Sequence, residues 1–201
     1  MYQQPHGASQ ALVPFSGDQY LARRQFFRFI GAAFHVYGPD GGLRFYVNQK
    51  GFKLKEDITV YADESRTHTL LVIRARGIID FGATYDVYNP DGSWVGALRR
   101  KGMASILRDR WEILGPQDVS YGAIEEDSMA LALFRRLFFK LVPQAYTLSF
   151  NGAVVGSFKQ RFNPFIPKMD IDFSPDAHRQ LDRRLGIAAL VLIMAIEGRQ
   201  N

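Results

Sequence analysis

The sequence predicts a mainly β protein, a closed antiparallel barrel wrapped around one hydrophobic C-terminal helix. Three observations carry that prediction. The chain ends in an apolar run at 185–196 (LGIAALVLIMAI), set between Arg183-Arg184 and Glu197-Gly198-Arg199. That run is shorter than the about 20 residues needed to cross a bilayer, and a helix apolar on every face must be surrounded by protein. Upstream, short strand-like segments recur at regular spacing with turn residues between them, as in barrels and sandwiches. Finally, Val36-Tyr37-Gly38-Pro39-Asp40-Gly41 returns as Val87-Tyr88-Asn89-Pro90-Asp91-Gly92, a repeated strand end and turn. A sheet that curls around the terminal helix satisfies all three.

Residues 1–20 are rich in Gln, Gly, Pro and Ser without periodicity, and predict a flexible tail ahead of a single domain over 21–201. Each Pro-Asp-Gly copy predicts a hairpin, because proline presets φ at the first turn position and Asp-Gly tolerates positive φ. A third hairpin is expected at Asn151-Gly152, between Tyr146-Thr147-Leu148-Ser149-Phe150 and the strand that follows. Further strands are expected at 52–55, 59–62, 70–76, 105–107, 111–114 and 168–173. The exception is 125–142 (EEDSMALALFRRLFFKLV), which predicts a second helix, its body near 126–142. Acidic residues open it, Lys140 lies in its last turn and Pro143 stops it. Such a helix packs on the outside of the sheet, or lies basic and amphipathic on a membrane surface.

Composition narrows the function classes. The chain has no cysteine, which excludes disulfides, thiolate metal sites and cysteine nucleophiles. The N-terminus lacks a charged segment followed by an apolar one, so no secretory signal is expected and the cytoplasm is the expected compartment. A net charge of +5 favours anionic partners, lipid or nucleic acid. His6, His35, His68 and His178 are scattered, with no i, i+4 pair, and no nucleophile elbow, phosphate loop or dinucleotide fingerprint is present. No catalytic residue and no cofactor is therefore expected.

The Asp-Gly hairpins, Gly96-Ala97-Leu98-Arg99-Arg100-Lys101 after the second of them, and Asp182-Arg183-Arg184 leading into the apolar helix together resemble the tubby-like superfamily. Within it, the likeness is to the phospholipid scramblase and LURP-one-related branch. It runs from about Arg23 to Arg199, and the order of elements carries it more than any single motif. The resemblance implies about twelve antiparallel strands closed around a central helix, here roughly 181–196. It also implies a membrane-associated or phosphoinositide-binding protein, although a fold alone does not transfer a function. Scramblases carry cysteine-rich palmitoylation segments and long proline-rich N-termini, and this chain has neither.

Two candidate sites follow. Arg99, Arg100 and Lys101, then Arg108 and Arg110, make the densest basic stretch. On a strand Arg99 and Lys101 share a face. With Arg74, Arg76 and Arg108 they form the expected lipid or phosphate site, since guanidinium forks match phosphate oxygens. Asp109, Glu112 and Asp118 supply the competing explanation, ordinary surface ion pairs. Asp170, Asp172 and Asp176 are a weak calcium candidate with oxygen ligands at alternate positions. Pro175 replaces the EF-hand glycine and Leu181 its bidentate glutamate. The alternative is a strand with Ile171 and Phe173 inward, followed by a helix cap at Ser174 or Asp176. The expected function is non-enzymatic binding of anionic lipid headgroups, or tethering at a membrane surface without a transmembrane span. A protein–protein module or structural subunit is the alternative, and no recognition motif supports nucleic acid.

Overall fold

The structure, a computed structural model, describes residues 13–27, 31–49, 57–79, 82–101, 110–127, 143–162 and 166–197. Its strands are β1 (Gln19–Phe27), β2 (Gly31–Tyr37), β3 (Leu43–Gln49), β4 (Ile58–Tyr61), β5 (Thr69–Ile79) and β6 (Gly82–Tyr88). They continue as β7 (Trp94–Arg100), β8 (Arg110–Leu114), β9 (Ser120–Glu126), β10 (Ala145–Phe150), β11 (Ala153–Arg161) and β12 (Lys168–Asp172), ahead of helix α1 (Arg183–Glu197). Each strand pairs with its neighbours in sequence, and β1 closes the barrel antiparallel against β12.

The repeated turns form as their residues require. In the first, the N–H of Gly41 donates to the carbonyl of Gly38 at 3.0 Å. In the second, Gly92 donates to Asn89 at 3.0 Å. The glycine, not the aspartate, takes positive φ, at 77° and 84°. Both strand pairs shift register beside the turn, the signature of a type I turn followed by a bulge. Asn151 and Gly152 both have positive φ, at 49° and 80°, as a two-residue hairpin demands. All these turns lie at one end of the barrel, with the 63–68 and 115–119 connections.

Helix α1 enters from that end and fills the interior. Ile187, Ala188, Ala189, Leu190, Val191 and Leu192 are all buried, so every face of the helix meets the inner face of the sheet. Asp182 caps it: its Oδ1 accepts from the N–H of Arg184 at 2.9 Å, and its carbonyl from the N–H of Leu185 at 2.9 Å. The cap is therefore Asp182, not Ser174 or Asp176. Near the cap the packing is close. A Cβ on Gly186 would lie 2.6 Å from Cζ of Phe173, a fully buried ring. Gly186→Ala gains about 1 kcal/mol of helix propensity but costs about 1–3 kcal/mol by overpacking. A net loss in thermal stability is expected, measurable as a lowered Tm.

Three expectations meet the structure differently. Of the 1–20 stretch, Val13–Ser16 forms a 3-10 turn whose Phe15 packs on Phe45 at 4.8 Å, and Gln19 and Tyr20 open β1. Tyr20 donates its hydroxyl to the carbonyl of Pro14 at 2.9 Å, which ties this segment over the barrel mouth. At 125–142, Glu125 and Glu126 are the end of strand β9, paired to Arg110, Thr147 and Tyr146. The acidic pair therefore does not open a helix, and the rest of that expected helix, 128–142, lies outside the described residues. The strands expected at 52–55 and 105–107 lie outside them as well.

Candidate functional site

The structure brings the expected basic residues to one outer face, over β5 to β8, and interleaves them with carboxylates. Arg74 Nε donates to Asp57 at 2.9 Å, with its guanidinium 5.2 Å above the Tyr88 ring. Arg76 is the extra residue of a bulge in β5, which swings it into a bridge between two acids. Its Nε donates to Asp86 at 2.8 Å and its Nη1 to both oxygens of Asp118, at 2.6 and 2.7 Å. The Arg76 guanidinium is held charged by Asp86 and Asp118, and Asp86 is held below the usual carboxylate range by Arg76. The Trp94 indole N–H adds a bond to Asp86 at 2.9 Å.

Arg99 and Lys101 do share a face, and both point at one carboxylate. Glu112, opposite Arg99 on β8, accepts from Arg99 at 2.7 Å and Lys101 at 3.0 Å. Burial alone raises the Glu112 pKa, but the two cations outweigh it and hold the carboxyl low. Asp118 and Glu112 are thus partners of the expected site, as the ion-pair explanation has it. Arg108 lies outside the described residues.

The calcium candidates do not gather. Asp170 faces outward and accepts from Arg161 through both oxygens, each at 2.7 Å. Asp172, also outward, accepts the N–H of Ser174 at 2.9 Å. Ile171 and Phe173 are buried, as the strand alternation requires. Asp176 is buried in the plug above the helix, where Arg183 Nη1 donates to it at 2.6 Å and the N–H groups of Gln180 and Leu181 at 2.8 and 3.0 Å. Among the described residues, no group of three or more His, Cys, Asp or Glu stands close enough to hold a metal ion.

A different surface carries more cations than carboxylates, with Asp170 and Asp172 among Arg23, Lys159, Arg161 and Lys168. Barrel closure sets β11, β12, β1 and β2 side by side, with Arg161 opposite Lys168, Lys168 opposite Arg23, and Arg23 opposite His35. Three cations therefore stand in register across three strands, about 5 Å from one to the next. Like charges placed directly opposite destabilise a sheet. Of these, Arg161 is neutralised by Asp170. Arg23 and Lys168 have no ion pair among the described residues, nor does Lys159 beside them. The Arg23 guanidinium lies 5.1 Å over the Tyr37 ring, and its Nε is buried without a hydrogen-bond partner. The same face holds a groove of about 560 Å³, lined by Leu21, Arg23, Tyr37, Lys159, Arg161 and Asp170 among others.

With the closed barrel and its enclosed helix in place, one comparison decides the family. The family model described as LURP-one-related matches residues 43–194. The chain belongs to the LURP-one-related family. LURP-one-related domains are part of the tubby-like superfamily, whose fold is this barrel. No curated protein and no solved structure matches the chain. In this LURP-one-related chain the matched span runs from β3 through most of α1 and so contains Lys159, Arg161 and Lys168. Arg23 and Tyr37, on β1 and β2, precede it.

The sequence singled out none of the groove cations. Lys159 and Arg161 share β11, Lys168 opens β12 and Arg23 lies on β1, so no single stretch gathers them. The local signal is that Lys159, Arg161 and Lys168 alternate with inward residues such as Phe158 and Met169.

Proposed function

We propose that this LURP-one-related barrel binds anionic lipid headgroups at a membrane surface and catalyses no reaction. The observation that carries the reading is the in-register row of Arg161, Lys168 and Arg23, with Lys159 in the adjoining groove. Among the described residues Arg23 and Lys168 have no carboxylate in an ion pair, and Lys159 has only the nearby charges of Asp170 and Asp172. A phosphate against this row would therefore add the negative charge that Arg161 alone takes from Asp170. Arginine offers it a fork of donors, and lysine a mobile point charge. The patch at Arg74, Arg76, Arg99 and Lys101 is less suited, because an incoming phosphate must displace a carboxylate at all four of its cations, whereas in the row only Arg161 is so held. Among the described residues no helix is long and apolar enough to cross a membrane.

Co-sedimentation with vesicles tests the reading. Binding to phosphatidylcholine vesicles containing phosphatidylserine or a phosphoinositide, weakening as salt rises, is expected, with no binding to phosphatidylcholine alone. Each cation near an anionic leaflet is worth about 1 kcal/mol, so Arg23→Gln with Lys168→Gln should weaken binding about 30-fold. The same pair of changes relieves the like-charge row, so the Tm should stay level or rise. Arg99→Gln with Lys101→Gln should leave binding within a few-fold. Equal loss from both pairs would move the site, and absence of binding at low salt would reject the function.

A further inference from the structure

Immediately beyond the cation row, the chain exposes apolar side chains. Phe162, which follows Arg161 at the end of β11, is 62% exposed, and Ile166, just before β12, is 41% exposed. Both arms are anchored to neighbouring strands. The N–H of Arg24 donates to the carbonyl of Pro167 at 3.0 Å, and the N–H of Gln160 to the carbonyl of Gln144 at 2.7 Å. Large apolar groups held out on a rigid base, with cations one and two residues behind them along the chain, match the layering of a bilayer surface: hydrocarbon first, phosphate next.

The opposite end of the barrel also exposes apolar residues, Val119 at 48% and Val154 at 57%. Its connections carry Asp40, Asp63, Glu64, Asp91 and Asp118. Arg44 pairs with Asp40, His35 with Glu64 and Arg76 with Asp118, while Asp63 and Asp91 accept from Ser65 and Ser93 and keep charges that an anionic surface repels. Among the described residues, the end with Phe162 carries Asp57 and Asp127 in its connections, and the row of Arg161, Lys168 and Arg23 beside it is what favours that end.

We propose that the barrel docks end-on to an anionic lipid surface. Phe162 and Ile166 enter the boundary between headgroups and acyl chains, while Arg161, Lys168 and Arg23 rest on the phosphates behind them. The inference rests on the headgroup-binding reading above and adds to it an orientation and an apolar anchor. Two signals of this kind are what stable peripheral attachment requires.

The chain has no cysteine, so a single introduced thiol gives one labelling position. Phe162→Cys and Val154→Cys, each carrying an environment-sensitive fluorophore, place a reporter at opposite ends of β11. Nine residues of strand separate those ends by about 25–30 Å. With phosphatidylcholine vesicles containing phosphatidylserine, the label at 162 should shift to the blue and brighten, while the label at 154 stays as in buffer. Phe162→Ser with Ile166→Ser should lower the partition coefficient about tenfold or more, with an unchanged Tm. Co-sedimentation with an unshifted label at 162, or a shift at 154, would overturn end-on docking and leave headgroup binding intact. Failure of the unlabelled chain to sediment with these vesicles would remove the headgroup reading and this one with it.

Discussion

Leu192→Asp is expected to abolish the cooperative fold. Leu192 is fully buried on a helix whose neighbouring residues are buried on all sides, so no rotamer carries a carboxylate to water. Removing the leucine side chain alone costs about 2–5 kcal/mol. The introduced carboxylate adds the cost of desolvation without a partner. Together these match the whole stability of a domain, about 5–15 kcal/mol. Far-UV circular dichroism and a thermal melt check it. A soluble Leu192→Asp chain that melts cooperatively would mean that α1 does not occupy the barrel interior. Ala189→Glu, about one turn earlier on the same helix, should behave alike, because here every face is an inner face.

Asp176→Asn is expected to remove about 3 kcal/mol of stability, the lower end of the cost of breaking a buried pair. Arg183 is 4% exposed and is held between Asp176 at 2.6 Å and Asp18 at 3.0 Å, with its guanidinium 4.8 Å over the Phe173 ring. Losing the Asp176 charge leaves that guanidinium, among the described residues, with Asp18 as its one carboxylate, which is partly solvated, beside the neutral carbonyls of Phe173, Asp176 and Leu181. For a chain of this size the drop in Tm is about 6–12 °C. Burial alone raises the Asp176 pKa, but Arg183 and the N–H groups of Gln180 and Leu181 outweigh it, and the carboxyl sits below its ordinary range. Its contribution is therefore fully present above about pH 4, the ordinary carboxylate value, and is lost as the pH falls through the lower folded value. The gap in Tm between Asp176→Asn and the unchanged protein should be widest near neutral pH and narrow in acid. A gap that stays constant down to that range would show that the pair does not link folding to protonation.

Much of the fold was legible in the chain because its causes are local. Pro39-Asp40-Gly41 and Pro90-Asp91-Gly92 specify their turns from within a few residues, and Asn151-Gly152 does the same. The extent of β1 was not legible. The strand alternates Tyr20, Ala22 and Arg24 inward, and an inward arginine hides the apolar period that marks a strand. Burial draws the Arg24 pKa down, the mark of a guanidinium taken out of water. Glu125 and Glu126 misled for a similar reason. Acidic residues before an apolar run read as a helix start, yet cross-strand partners on β8 and β10 claim them for the sheet. Propensity is a weak prior where tertiary pairing competes with it.

The candidate site divides in the same way. Glu112 lies close in sequence to Arg99 and Lys101, so its pairing with them could be read from the chain, and the structure bonds all three. Asp118, also near that stretch, instead reaches Arg76 on a strand far back in the sequence. The row of Arg161, Lys168 and Arg23 had no local signature, because Arg23 enters it from the other end of the chain.

By itself, then, the sequence determined the hairpin turns, the alternation of the strands and the need to enclose a helix with no polar face. Each follows from backbone chemistry or hydrophobic period over a few residues. Only the tertiary structure decided which cations meet carboxylates and which stand beside one another. That depends on the register between strands, and above all on β1 closing against β12, a pairing of the first strand with the last that no local rule contains.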